Sequence, residues 1–289
     1  MTIYKSTLKL LRLPFSINLL PIFLFAVYSA IGGLIPWKTA LVFFVIHFIF
    51  YPASNAYNSY MDRDSGSIAG LKTPPKPTRQ LFQVSVFLDI AGILLSLLVG
   101  WQFTLINILL VALSRAYSWR KIRIKKYAVP GFLMVSLAQG GMSYYNMYMG
   151  IQGLNYFPAM EGDLAIGFII CSLFVGTIYP ITQIYQHADD RSDGIRSMSM
   201  LLGIKGTFIF SGVLFIVANG LLYKILEFNE FLIFIGFMIL PAVYFMYWMI
   251  ISWQQPEYAD FRRTMIMALG ASIAMILGFA IILISLFSS

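Results

Sequence analysis

The sequence predicts an all-α integral membrane protein, nine transmembrane helices around a central cavity, with a cytoplasmic N-terminus. Three observations carry this reading. Of 289 residues, 59% are hydrophobic and 11% charged, whereas a soluble domain has roughly a quarter of its residues charged. The apolar residues gather in runs close to the roughly 20 residues that a bilayer span needs. The basic residues fall between alternate runs, on one side only.

The first run, Phe15–Ile35, follows an arm carrying Lys5, Lys9 and Arg12. It is long enough to span and lacks a small-residue cleavage pattern, so it reads as a helix and not a removable signal. Thr39–Tyr57 follows, then a hydrophilic stretch with Arg63, Lys72, Lys76 and Arg79. Leu81–Gly100 and Phe103–Tyr117 are separated only by Trp101 and Gln102. After them come Arg115, Arg120, Lys121, Arg123, Lys125 and Lys126. Val129–Gly150 leads into the polar Gln152–Asp163, and Leu164–Gln186 into Arg191, Arg196 and Lys205. Thr207–Ile225, Phe231–Trp253 and Thr264–Phe287 complete the set, with Arg262 and Arg263 before the last.

Nine spans put all but two of the 20 basic residues, Lys38 and Lys224, on one face. Fusing the third and fourth runs would set Arg115–Lys126 opposite Lys72–Arg79 and destroy that asymmetry. By the positive-inside rule the basic face is cytoplasmic and Ser289 lies outside. The net charge of +8 is then explained by cytoplasmic loops facing anionic lipid headgroups, with no nucleic-acid partner. The single cysteine, Cys171, excludes an intrachain disulfide and reads as a small hydrophobe.

No linker or soluble domain interrupts the chain, which reads as one unit over 1–289 with two pseudo-repeated halves, 1–128 and 129–289. Span 2 ends in Asn58-Ser-Tyr-Met-Asp62-Arg-Asp64, and span 6 ends in Gln186-His-Ala-Asp189-Asp190-Arg-Ser-Asp193. Asn58 and Asp62 are four residues apart, as are Asp189 and Asp193, so on continuing helices each pair shares a face. One such cluster is often only a solvated helix end. Two at equivalent places in two halves suggest a site at the repeat interface.

Carboxylates gathered on one surface repel each other unless a cation lies between them. Asn58, Asp62, Asp64, Asp189 and Asp193 are hard oxygen ligands suited to Mg²⁺, with Mn²⁺ able to replace it. Mg²⁺ is usually held by one or two carboxylates plus substrate phosphates. Lys72, Lys76 and Arg79 follow the first cluster, and Arg191, Arg196 and Lys205 the second. Arginine forks a phosphate while lysine acts as a point charge. The pattern describes a place where a diphosphate is bound and its departure assisted. A cation-coupled transporter would carry such carboxylates near the midplane on broken helices. A phosphoalcohol transferase would extend Asp193-Gly194-Ile195-Arg196 into a longer signature, which this chain does not do.

These residues resemble the UbiA superfamily of intramembrane prenyltransferases. Members have nine transmembrane helices, an N-terminus inside, and two acidic motifs, N-x-x-x-D-x-x-x-D after helix 2 and D-x-x-x-D after helix 6. Leu71–Arg79 resembles the family's basic, proline-containing segment. Tyr117-Ser118, with Arg123 and Lys125 beyond, resembles its loop after helix 4, and Arg12 and Asn18 match polar positions at the start of helix 1. The resemblance implies catalytic roles for Asp62, Asp189, Asp193 and Lys125. It implies diphosphate binding by Arg12, Asn18, Lys72, Arg79, Tyr117, Arg123 and Arg191.

One position departs from the pattern. The last aspartate of motif one would fall at Gly66, and Asp64 is the nearest substitute. The implied reaction moves an isoprenyl group from an isoprenyl diphosphate, through an allylic cation, to a hydrophobic acceptor. That acceptor is an electron-rich ring, a hydroxyl, or in a cyclase an internal double bond. The implied setting is a multi-pass protein of the lipid bilayer, the inner membrane in a bacterium, with its active loops cytoplasmic.

Phe, Tyr and Trp make up 16% of the chain. Most are expected to pack and anchor, with Tyr144, Tyr145, Tyr148, Tyr179 and Tyr185 facing the cavity, where aromatic rings would shield a cation. His187 is expected to cap a helix end, and His47 to be a satisfied core group. Asp89, costly in lipid, is expected to pair with an arginine near the basic face.

Overall fold

The structure is a computed structural model that describes residues 3–63 and 66–288. In chain order its helices are α1 (Lys5–Ser29), α2 (Pro36–Asp62), α3 (Arg79–Val99), α4 (Trp101–Ser118), α5 (128–152), α6 (Gly162–Ser192), α7 (Met198–Ile225), α8 (Phe228–Gln254) and α9 (Phe261–Ser288). Seven of these, all but α4 and α5, are long and apolar enough to cross a membrane. No strand is found among the described residues.

The short α4 and the α5 rod fall below that standard because they carry polar residues which they bury. Asn146 Nδ2 donates to Asn107 Oδ1 at 2.9 Å, and Asn107 Nδ2 to Ser96 Oγ at 3.1 Å. This chain joins α5, α4 and α3, each member giving another the partner that lipid could not. The break between the third and fourth apolar runs is real. Gly100 alone separates α3 from α4.

α6 packs against α5 and α7, α8 against α9, α2 against α3 and α4, and α1 against both α5 and α9. α9 thereby returns to α1 and closes the bundle. At α5–α6 the backbones nearly touch. A Cβ at Gly140 would stand 2.5 Å from the Cys171 carbonyl oxygen, so only glycine fits. Inside the bundle, Phe25 meets Tyr144 and Phe279, and Phe279 meets Phe234. Outward-facing apolar residues such as Phe87, Ile216, Leu240 and Ile284 are exposed, as the lipid-facing side of a bundle must be.

Several helices are irregular where they approach the site. α1 breaks at Arg12 (φ 49°) and runs on as a 3₁₀ turn over Leu13–Leu19. α2 contains a π segment, Val45–Phe50. α6 breaks after Pro180 into a 3₁₀ turn and the short His187–Ser192 helix, as expected where proline removes a ladder bond.

Asp89 pairs with Arg115, as expected, and the guanidinium lies 3.9 Å from the Tyr57 ring centre. His187 also serves structurally. Its Nε2 is 2.8 Å from Ser199 Oγ, holding the start of α7. His47 corrects its expectation. Its two ring nitrogens are buried without hydrogen-bond partners, and its ring packs against Phe23, Phe43 and Tyr51 as one more aromatic group.

Candidate active site

α2 ends at Asp62 because the next residue, Arg63, turns left-handed at φ 56°. Asn58 and Asp62 are one turn apart on this last stretch, and Asn58 Nδ2 donates to Ser118 Oγ at 3.1 Å. Asp62 is only 6% exposed. It is therefore not at the hydrated helix end its sequence position suggests. A buried carboxylate requires a counter-charge, and the 119–126 connection supplies two. Lys125 Nζ stands 2.5 Å from Asp62 Oδ2, and Arg123 Nη2 stands 3.9 Å from Oδ1.

The same connection reaches the second cluster. Arg123 pairs directly with the Asp193 carboxylate and donates to the Asp193 carbonyl at 3.2 Å. Arg123 adopts a left-handed conformation (φ 50°) and is 8% exposed. A non-glycine residue there carries strain of order 1 kcal/mol or more, sustained only where the surroundings over-determine it. Arg120 completes the brace, donating to the carbonyls of Met61 and Asp62 at 2.8 and 3.0 Å and standing 3.6 Å from Asp193. The sequence reading missed Arg120 as a site residue. Its only signal was its place in a basic loop.

The two clusters also meet without a cation between them. Gln186 Nε2 donates to the Ser67 carbonyl at 3.1 Å. A Cβ on Gly66 would overlap the Asp189 carboxylate, whose Cγ lies 2.7 Å from that point. Thus the ends of α2 and α6, from opposite halves of the chain, are joined through Arg123, which reaches both Asp62 and Asp193, while Asp189 lies against Gly66. Asp64 lies outside the described residues.

The remaining expected residues scatter. Arg12 is 9% exposed and donates to the carbonyls of Ala69 and Asn55 at 3.1 and 3.4 Å, tying the α1 break to the loop after α2. Asn18 Oδ1 accepts from Ser272 Oγ at 3.0 Å, which places it against α9. Tyr117 and Tyr179 share a 2.5 Å hydroxyl contact across α4 and α6. Lys72, Arg79 and Arg191 are exposed on the segments flanking the clusters and reach no carboxylate among the described residues.

Two cavities are found in the bundle. One, of about 130 Å³, runs from Asn58 between α2, α4 and α5 past Ser54, Tyr51, Ser114 and Gln139. The other, of about 360 Å³, lies among α1 and α6 to α9 and is walled by Phe15, Leu19, Phe174, Phe215, Met238 and Met275. The five tyrosines expected at the cavity line neither. Tyr144 is a core residue, Tyr145 donates to the Pro158 carbonyl, and Tyr185 meets Phe261.

Among the described residues, no three His, Cys, Asp or Glu side chains gather closely enough to hold a metal alone. The donors still fit a hard dication. Asp62 Oδ1 is buried and accepts no hydrogen bond. A dication that keeps waters and substrate oxygens needs only one or two protein carboxylates.

A sequence model of the UbiA prenyltransferase family matches residues 19–276. No curated relative is found by sequence. Among solved structures, a UbiA homolog from Archaeoglobus fulgidus bound to DMAPP and Mg²⁺ is 16% identical, with a TM-score of 0.68 over 96% of this chain and 99% of that one. A UbiA homolog from Aeropyrum pernix K1 is 16% identical, with a TM-score of 0.67 over 93% and 98%. A structure of digeranylgeranylglyceryl phosphate synthase is 20% identical, with a TM-score of 0.59 over 95% and 98%. These likenesses show a shared fold.

Proposed function

The chain belongs to the UbiA prenyltransferase family and is a prenyltransferase, and from that premise we propose an Mg²⁺-dependent transfer of an isoprenyl group from an isoprenyl diphosphate to a hydrophobic acceptor within the membrane. The observation that carries this reading is the cationic connection, whose Arg123 and Lys125 bind carboxylates of both acidic clusters, in a bundle that also holds an apolar cavity among α1 and α6 to α9. The homologs from Archaeoglobus fulgidus bound to DMAPP or GPP with Mg²⁺ support it.

Asn58, Asp62, Asp189 and Asp193 would hold Mg²⁺, which supplies the charge that makes diphosphate a leaving group. Arg123 and Lys125 stand where they can grip diphosphate oxygens, and Asp62 and Asp193 keep both cations aimed. The apolar cavity would take the prenyl tail, since its walls are almost wholly apolar side chains. The C1–O bond breaks with its electron pair leaving on diphosphate. The acceptor then donates an electron pair to C1 and gives up a proton. Excluding water keeps it from capturing the cation first.

On this reading α4 and α5 also cross the bilayer, giving nine spans, with the N-terminus and both clusters on the cytoplasmic side. Purified protein incubated with labelled isoprenyl diphosphate, Mg²⁺ and a host lipid extract should yield a labelled lipid and free diphosphate. Intact donor under all conditions would defeat the proposal.

A further inference from the structure

The polar cavity of about 130 Å³ has Asn58 and Ser118 in its wall, one helical turn before Asp62 on α2. A cavity of roughly 150 Å³ holds one benzene ring, so this one has room for a single ring and not for a long chain. Both π segments among the described residues border it. Val45–Phe50 contributes Ile46 and Phe50, and Ser136–Met142 contributes Ala138 and Gln139. Such segments recur at functional sites.

Its wall offers hydrogen bonds that hydrocarbon cannot use. The Tyr51 hydroxyl and Arg115 Nη1 are buried without a partner, on residues that line the cavity. Unpaired buried donors are costly, and an oxygen on a bound ring would satisfy them. Charge is treated differently. Asp89 and Arg115 both line the cavity and pair with each other. The Arg12 guanidinium, also in the wall, donates to the carbonyls of Ala69 and Asn55. An anionic ring would have to draw Arg115 away from Asp89, leaving that carboxylate buried and unpaired, which is strongly unfavourable.

We propose that this cavity holds the head of the acceptor, that the head is a single ring carrying an uncharged oxygen group, and that Asp89 is the residue that excludes carboxylated rings. The inference rests on the prenyl-transfer reading above and names its acceptor class. Asp89 sets that class by keeping the Arg115 charge neutralised, while Arg115 Nη1 and the Tyr51 hydroxyl remain as donors for a neutral oxygen.

The test uses two probes of equal size, 4-hydroxybenzamide and 4-hydroxybenzoate, which differ at pH 7 by one negative charge because a carboxyl is ionised there. Calorimetry on the purified full chain in detergent should show the amide binding wild type ~10-fold or more tightly than the carboxylate. Asp89→Asn frees the guanidinium for an outside carboxylate and should reverse that order. 4-Hydroxybenzoate should then raise the melting temperature of Asp89→Asn and leave that of wild type unchanged. Tyr51→Phe should weaken the amide by ~10-fold and keep the wild-type order. The amide should also inhibit labelling of host lipid by isoprenyl diphosphate, competitively with the lipid. Equal binding of the two rings by wild type overturns the proposal, as does an Asp89→Asn variant that still prefers the amide. Amide binding that leaves lipid labelling untouched overturns it too, since the cavity would not then be the acceptor's. The wild-type comparison and Tyr51→Phe can refute it even where Asp89→Asn does not fold. Donor left intact under every condition defeats the transfer reading, and the acceptor role with it, whereas lipid labelling without ring selectivity defeats only this inference.

Discussion

Lys125 Nζ stands 2.5 Å from Asp62 Oδ2, and only 2% of that aspartate side chain is exposed. The pair joins the end of α2 to the connection after α4, and Arg123 carries the link onward to Asp193. Asp62 and Asp193 therefore each hold a cation of the same connection. On the proposed reading, the acidic clusters would position the groups that grip the diphosphate as well as bind a metal.

Removing one partner of the Lys125–Asp62 pair should destabilise the protein as well as inactivate it. Lys125→Met leaves a buried carboxylate with only the more distant Arg123, and breaking a buried pair costs about 3–5 kcal/mol. Lys125→Met/Asp62→Asn should melt above Lys125→Met, because the uncompensated charge is gone. A double-mutant cycle on thermal stability in detergent measures the coupling. Equal melting of the single and double variants would show the pair to be energetically idle.

Transfer should stop in EDTA and return with Mg²⁺ or Mn²⁺. Asp193→Ala should lower kcat/KM by far more than tenfold, since ~1.4 kcal/mol per decade is small beside the loss of a metal contact or of the carboxylate that aims Arg123. Its fold should hold better than that of Asp62 variants, because the Asp193 side chain is 32% exposed. Full turnover without divalent ions, or near-normal rates in Asp193→Ala, would remove the metal from the reaction.

The helical runs, a break between the third and fourth, and both acidic clusters were legible because bilayer length, charge parity and i, i+4 spacing are properties of the linear chain. The break itself falls at Gly100 and not at Trp101 and Gln102, which are helical. Asp89 was legible for the same reason, since a carboxylate in an apolar run must find a cation. The cavity walls were not. α6 and α8 are apolar on nearly every face, so periodicity cannot tell which ring points inward, and the five tyrosines chosen went elsewhere. Nor can spacing show that Arg120 reaches backbone carbonyls at Met61 and Asp62, or that Asp189 fills the space at Gly66. Those contacts join segments more than 50 residues apart through loops with no periodicity.

The Asp89–Arg115 pair should behave as a structural device. Both side chains are largely buried, 13% and 19% exposed, where an unpaired charge is costly. Asp89→Leu alone should lower stability by about 3 kcal/mol, and Asp89→Leu/Arg115→Met should restore much of it. Thermal melting of the three forms decides this. A single variant as stable as wild type would mean that water already reaches the guanidinium.

The apolar cavity offers a test of where the prenyl tail lies, independent of the metal. Gly212 on α7 lines that cavity, and a Cβ there would meet nothing nearer than Phe245 at 3.7 Å. Gly212→Leu should therefore be accepted by the fold, since its side chain grows into empty space and not into a neighbouring backbone. It should also remove volume that a long tail needs and a short one does not. Losing even a methylene's room costs ~1–3 kcal/mol in such pockets, so kcat/KM for a long-chain donor should fall by ~10-fold or more while that for a five-carbon donor stays near wild type. An equal loss for both donors would point to a distorted site. No loss for either would move the tail to the polar cavity beside Asn58, whose Ser54, Ser114 and Gln139 would then face hydrocarbon.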